Sequence, residues 1–478
     1  MNTEKNAAGG RDHPRSLMAT KNDRRLRNAA ALLLAGAMLI SLFACGSREG
    51  DSDASAGGQT TGASPESSGA TSAEASQEAA STEEAVPVPP DTGSVTYDTS
   101  EGHPAAVLKD GDALVGGTYT ATGKDESVLE ASGNTKASVT GSKLVKASGD
   151  ASSADDSSFM GVNAGVRVYG NAEVTMKDCT VLADAKNATG VFAYENGVIY
   201  ISDSTVRVTG GGAGGVQVAG GGTLYGNDLT VTTESKAPIR SDRGGGTMVI
   251  DGGSYVTNGK DGCPVIYSTA DITVRNAEGR SNNSRAVIIE GKNSVTLENS
   301  TLTGNDQSSK AGSVRANVMI YQSASGDAKE GTGSFTMTGG KLVSESGAMF
   351  YCTNTTGVID LKNAELVLSG TGELLIVSTG RWGKEGKNGG RCTLNAEDQT
   401  LSGTVTVDAL STLDLNLKGS RFTGSISGEG SISLIVDPAS TWTLTGDSYI
   451  TSFSGDASNI IAGGYTLYVG GSALTGTR

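Results

Sequence analysis

Histidine is almost missing from this chain, with only His13 and His103 among 478 residues. His13 lies in a basic leader, so Ser-His-Asp or Cys-His catalysis and any His-based zinc site would all depend on His103. Cysteine is also sparse. The five (Cys45, Cys179, Cys263, Cys352 and Cys392) have no CxxC spacing. Aromatic residues make up 5%, and none occurs between Phe43 and Tyr97. Basic charge is in deficit, with 37 Lys and Arg against 52 Asp and Glu. Phosphate binding needs a basic face, so this balance argues against a nucleic-acid partner.

The basic residues that do occur are partly concentrated at the start. Lys5, Arg11, Arg15, Lys21, Arg24, Arg25 and Arg27 precede an apolar run from Ala29 to Ala44. That order is the plan of a secretory signal peptide, and the run is short for a membrane span of about 20 residues. It ends in Leu42-Phe43-Ala44-Cys45-Gly46, which resembles the lipobox of bacterial lipoproteins. In that family the cysteine is diacylated and becomes the new N-terminus, and two acyl chains make a stable anchor. Residues 1–44 are therefore expected to be a lipoprotein signal peptide and Cys45 the lipidated residue. Its removal leaves 30 basic and 49 acidic side chains, a net charge of −19. From Gly46 to about Thr92 the composition falls to Gly, Ser, Ala, Thr, Glu and Asp, ending in Val86-Pro-Val-Pro-Pro90. Such a segment buries too little apolar surface to offset its ordering entropy, so residues 45–94 are expected to form a flexible tether.

What the rest of the chain has is repetition. GVRVYGNAEVTMKDCTV from Gly165, GVFAYENGVIYISDSTV from Gly190 and GVQVAGGGTLYGNDLTV from Gly215 begin 25 residues apart. Each holds short alternating runs, such as Val174-Thr-Met176 and Ile199-Tyr-Ile201, separated by turn pairs. Period-two alternation marks half-buried strands, and a fixed period of this size marks a repeat architecture. Three strands per period predict an all-β parallel β-helix over residues 95–478. Further second-strand runs recur at Thr247, Ile272, Ser294, Ser334, Val358, Cys392, Thr412, Thr441 and Tyr465. About twelve coils follow Gly161, and two more precede it, where Ala137-Ser-Val-Thr-Gly-Ser-Lys-Leu-Val resembles the segment from Glu173. At ~4.8 Å per strand the stack would be on the order of 65 Å long. Crossover connections in a parallel sheet are right-handed in nearly all cases, so the helix should be right-handed. The segment 97–117 is expected to cap one end, with Trp442 filling the core near the other. Cys179 and Cys392 read as buried thiols, Cys392 aligning with Phe335 and Leu413, while pairing of Cys263 with Cys352 stays open.

The pattern resembles the right-handed β-helix of the pectin-lyase-like superfamily, and within it secreted surface lipoproteins of Gram-positive bacteria. The segments that carry the likeness are Asp156-Ser-Ser-Phe-Met-Gly-Val-Asn-Ala, Thr379-Gly-Arg-Trp-Gly-Lys-Glu-Gly-Lys-Asn-Gly-Gly390 and Thr441-Trp-Thr-Leu-Thr-Gly-Asp-Ser-Tyr-Ile450. The resemblance implies the fold and brings no established activity. Polysaccharide lyases of the superfamily use Ca²⁺-binding carboxylates beside an Arg or Lys base, and its pectin hydrolases use clustered Asp with a Gly-His-Gly segment. No Gly-His-Gly occurs here, and Asp251, Asp242 with Arg243, and Arg240 form the nearest approach to such a cluster.

Two places carry candidate chemistry. Asp178, Asp203 and Asp228 recur every 25 residues and should stack about 5 Å apart, close enough for a Ca²⁺ ion between them. Asp also tolerates the left-handed turn conformation, and Asn299, Gly339 and Asn363 hold comparable positions, so a turn role is the competing expectation. Apart from that possible Ca²⁺, no cofactor is expected. The second place is a pair of insertions at one corner, residues 323–333 and 380–391, separated by one compact coil. The second holds Trp382 with Arg381, Lys384, Lys387 and Arg391 against a single Glu385. An aromatic ring beside cationic donors suits stacking on a sugar and pairing with a uronate or sulfate, unless Trp382 folds back to close the loop. No catalytic residue is assigned. The expected protein is non-catalytic, exposed outside the bacterial membrane through diacylglyceryl Cys45, and adhesin-like or glycan-binding. A lyase or hydrolase of acidic polysaccharides, and an envelope stalk without ligand, are the alternatives.

Overall fold

The computed structural model describes residues 106–478. The signal peptide, Cys45, the tether and His103 lie outside the described residues. No helix within them is long and apolar enough to cross a membrane.

The three 25-residue segments stack in register, as their spacing predicts. Val166, Val191 and Val216 are ladder partners in one sheet, Val174, Ile199 and Leu224 in a second, and Val181, Val206 and Val231 in a third. All nine are fully buried. Alternation is visible in strand Glu173–Lys177, which buries Val174 and Met176 and turns Thr175 and Lys177 outward. A single coil cannot bury its apolar face alone, so stacking supplies the core. The glycine that opens each segment is set by packing. A Cβ on Gly190 would lie 2.4 Å from Val206 Cγ1 and 2.7 Å from Gly215 O, closer than atoms can approach.

Every coil repeats this plan, giving a right-handed parallel β-helix whose sheets hold 13, 14 and 10 strands, all parallel. The 14 strands of the second sheet match the expected number of coils. The segment expected to cap the start already pairs as a coil, with Ala113–Val115 and Thr118–Ala121 in the second and third sheets. Pairing of Lys136 with Glu173 also moves the alignment of that coil by one residue from the one read in sequence. At the far end, Thr441–Leu444 belongs to a four-stranded continuation of the third-sheet position and not to the second sheet. The second-sheet strands there are Ser431–Val436 and Ser452–Ser454. Leu467–Val469 pairs with Ser448–Ile450 and turns back as an antiparallel hairpin with Ser472–Ala473. A reversed strand cannot continue the parallel ladder, which blunts this edge.

Cys179, Cys352 and Cys392 are free buried thiols, so the structure does not pair Cys352 with Cys263. Cys392 partners Gly357 and Leu413, whereas Phe335 aligns with Leu394 through Ile359. Trp442 points inward as expected. Its ring stacks on Phe422 at 5.5 Å, and Nε1 donates to Gly424 O at 3.0 Å. Replacing Trp442 with Ala should destabilise the C-terminal coils by about 3–5 kcal/mol, read as an early transition in urea unfolding. A loss below about 1 kcal/mol would show that the ring does not carry this end of the core.

Candidate functional site

The second sheet faces outward uncovered, but the outer face of the first sheet is roofed over. Its outward column runs Arg167, Phe192, Gln217, Arg240, Tyr267, Ile288, Met319, Tyr351, Ile376. From Phe192 to Tyr351 these side chains are buried, although they point away from the solenoid core. Four segments make the roof: the helix Ala154–Met160, residues 306–315, and the two corner insertions, observed at 323–331 and 378–390. The helix is capped by Ser153, whose side chain accepts from Asp156 N, and ends at Gly161 with φ 70°. Residues 306–315 are pinned at their root by buried Asp306, which pairs with Arg285 at 3.0 Å and accepts from Ala316 N.

Under this roof lies a chain of polar groups that sequence reading did not assemble. Glu290 is buried, and its Oε2 accepts from Tyr267 Oη at 2.6 Å and Tyr321 Oη at 2.8 Å; Ser323 Oγ donates to Oε1. Burial first, then the Glu290 charge, holds both tyrosines well above their ordinary pKa, so they remain neutral donors. Arg240 lies over the Tyr267 ring at 4.6 Å and pairs with Asp242 at 2.7 and 3.1 Å. Burial opposes the guanidinium charge most, and Asp242 together with Tyr267 and Asp327 more than offsets it, so the Arg240 pKa is raised. Gln217 Nε2 donates to Asp242 Oδ2 and to Ser158 O, tying the pair to the helix. Lys236 Nζ donates to Ser158 Oγ at 2.9 Å.

The acidic and basic residues singled out together in sequence are separated. Arg243 leaves the Arg240–Asp242 pair, bonding Asp327 of the 323–331 insertion at 2.6 Å while stacking over Phe159 of the helix at 4.2 Å. Asp251 ends a second-sheet strand and accepts from Asn276 Nδ2.

Trp382 is half-buried and folds back onto the roofed face. Its ring meets Tyr321 at 5.1 Å, and Arg381 lies 4.4 Å over it. Asn388 Nδ2 donates to the carbonyls of Gly380 and Trp382, closing the loop on itself. Arg381, Lys384, Lys387 and Arg391 are exposed, and none makes an ion pair with a described residue.

Asp178, Asp203 and Asp228 sit at the turn between second and third sheets with φ of 53, 50 and 48°. The same place is held by Gly141, Gly252, Asn276, Asn299, Gly339, Asn363, Asp398 and Gly419, all at positive φ. The left-handed backbone thus accounts for the residue type. Lys177 lies 3.8 Å from Asp203, and no three His, Cys, Asp or Glu side chains among the described residues gather as a metal-binding group.

No protein-family model matches the chain, and no curated protein matches it.

Burial, with Arg240 adding to it, lowers the Lys236 pKa to about 8 from an ordinary 10.5. Between those values this amine binds more protons in the unfolded chain than in the folded one, so its contribution to stability should rise with pH from about 8 to 10.5. The buried tyrosines act in the opposite sense above their unfolded value of 10.0, and because both proteins carry them they cancel in a comparison with a Lys236 variant. Relative to Lys236→Met, the native protein should gain on the order of 2 kcal/mol between pH 8 and 10.5, read from urea midpoints. Parallel pH profiles would refute the buried, proton-releasing amine.

Proposed function

We propose that this is a lipoprotein anchored outside the bacterial membrane by diacylated Cys45, whose pectin-lyase-like β-helix captures an extracellular anionic glycan at the 378–391 loop. The observation that carries this reading is the cluster of Arg381, Lys384, Lys387 and Arg391. Four exposed cations that have no ion-pair partner among the described residues stand on a chain of net charge −15. Uronate or sulfate groups supply the missing partners, and arginine pairs with such planar oxyanions through two parallel bonds. Loops on rigid scaffolds are where binding function concentrates. Trp382 supports the loop through Tyr321, and a sugar could stack on its outer face only after Arg381 swings off the ring.

A second reading is a lyase or hydrolase of acidic polysaccharides. The roofed polar groups favour it, because burying Lys236, Arg240, Asp242 and Glu290 outside the core is expensive unless they are used. In that reading the 323–331 insertion moves aside to admit substrate.

Size-exclusion chromatography of uronate-rich, sulfated and neutral polysaccharides with the protein, with and without Ca²⁺, separates the readings. Unshortened anionic glycan should co-elute with protein. The double variant Lys384→Ala/Lys387→Ala should weaken binding about tenfold without loss of fold, since both side chains are exposed; raising salt should act the same way. Shortened chains would favour the enzyme. A Ca²⁺ requirement lost on changing Asp178, Asp203 and Asp228 to Asn would give that ladder a metal role, and absence of any interaction would leave the stalk. For the anchor, Cys45→Ser should move the protein from the membrane fraction to the medium; continued membrane retention would count against lipidation at this residue.

A further inference from the structure

Cys352 and Cys392 meet in the core beneath the basic loop, and a missing side chain brings them together. Cys352 points inward from the first-sheet strand Ala348–Thr353, and Cys392 from the second-sheet strand Arg391–Glu397 one coil later. The ladder partner of Cys392 in the preceding coil is Gly357. A Cβ on Gly357 would fall 2.9 Å from Cys352 Sγ, so the thiol fills the inward place that a side chain at 357 would take. Adjacent places in such a stack are about one strand spacing, ~4.8 Å, apart. The two thiols interact, and Cys352 is the leading cause, ahead of burial, that raises Cys392 above the ordinary thiol range. The pair also flanks the loop. The first-sheet partner of Cys352 is Val377, where the chain departs into residues 378–390, and Cys352 Sγ lies 3.9 Å from the carbonyl of Arg391, where it returns.

We propose that Cys352 and Cys392 are a disulfide-forming pair that staples the root of the 378–391 loop to the preceding coil. A low-molecular-weight disulfide is the oxidant. One thiolate attacks it and expels a small thiolate; the second thiolate then attacks the mixed disulfide and expels the other. The two cysteines lose two protons and two electrons, and the reagent becomes two thiols. Both sulfurs are buried, so exchange takes place while the coils are still closing or during local opening. The closed ring contains the whole basic loop and restrains the unfolded chain. The pairing does not depend on glycan binding; the exterior placement proposed above bears only on where an oxidant is met.

The test is refolding of the full chain from denaturant with oxidised glutathione or with dithiothreitol, followed by alkylation in guanidinium and non-reducing peptide mapping. The oxidised sample should yield a peptide joining Cys352 to Cys392, with neither alkylated, and a Tm higher by about 3–5 °C. Cys352→Ser should lack both the cross-link and the Tm difference. Alkylation of both residues after oxidative refolding overturns the proposal, as does a dominant linkage of either one to another cysteine. The map of the native sequence decides the matter even if a variant fails to fold.

Discussion

The left-handed residue between second and third sheets is the constraint on which the solenoid depends. At this corner the chain must reverse its inward and outward phase within two residues, and a φ near +50° does so. Asp, Asn and Gly adopt it at little cost, while β-branched residues do not. Because the turn has constant length, each third strand begins in phase with the one beneath it, and Val181, Val206 and Val231 fall on one line. The inward stacks, the parallel ladders and the corner glycines all follow from that phase. The acidic ladder is thus first a backbone device, whatever its carboxylates also do.

The roofed face divides into two parts with different physics. Around Ile288, Met319, Tyr351, Ala316 and Ala348 the cover is apolar and behaves as a second, smaller core. Around Glu290, Tyr267, Arg240, Asp242 and Lys236 it is hydrogen-bonded and charged. Such groups gain little over an apolar cover once desolvation is counted, yet removing one partner from a buried pair costs about 3–5 kcal/mol. The polar half is therefore over-determined. Trp382 and Tyr321 stand at the boundary and link it to the exposed cations.

Much of this was legible in sequence. Repeats at Gly165, Gly190 and Gly215 carry the register openly, and the two corner insertions stand out against compact neighbours. The last coils were harder to read. Thr441-Trp-Thr-Leu alternates like a second-sheet strand, because period two is the same in every sheet and says nothing about which one a run joins. Ser431–Val436, the actual second-sheet strand, carries the same alternation and no mark that sets it apart. The roofed polar chain was not legible at all. Tyr267, Glu290 and Tyr321 come from three successive coils, and outward positions look solvent-facing until something covers them. Whether Trp382 would fold back depended on Tyr321, a residue with no sequence mark of its partnership.

The two corner insertions leave the second-sheet ladder undisturbed. Thr332, Thr356 and Arg391 remain direct partners although one coil between them turns compactly and its neighbours bulge outward. Chain length at this corner is thus mechanically uncoupled from the stack. Segments can lengthen, shorten or be exchanged there while the coils above and below keep their pairing. The solenoid is in this sense a rack with open slots, and sequence diversity can accumulate along one edge with little penalty in foldability.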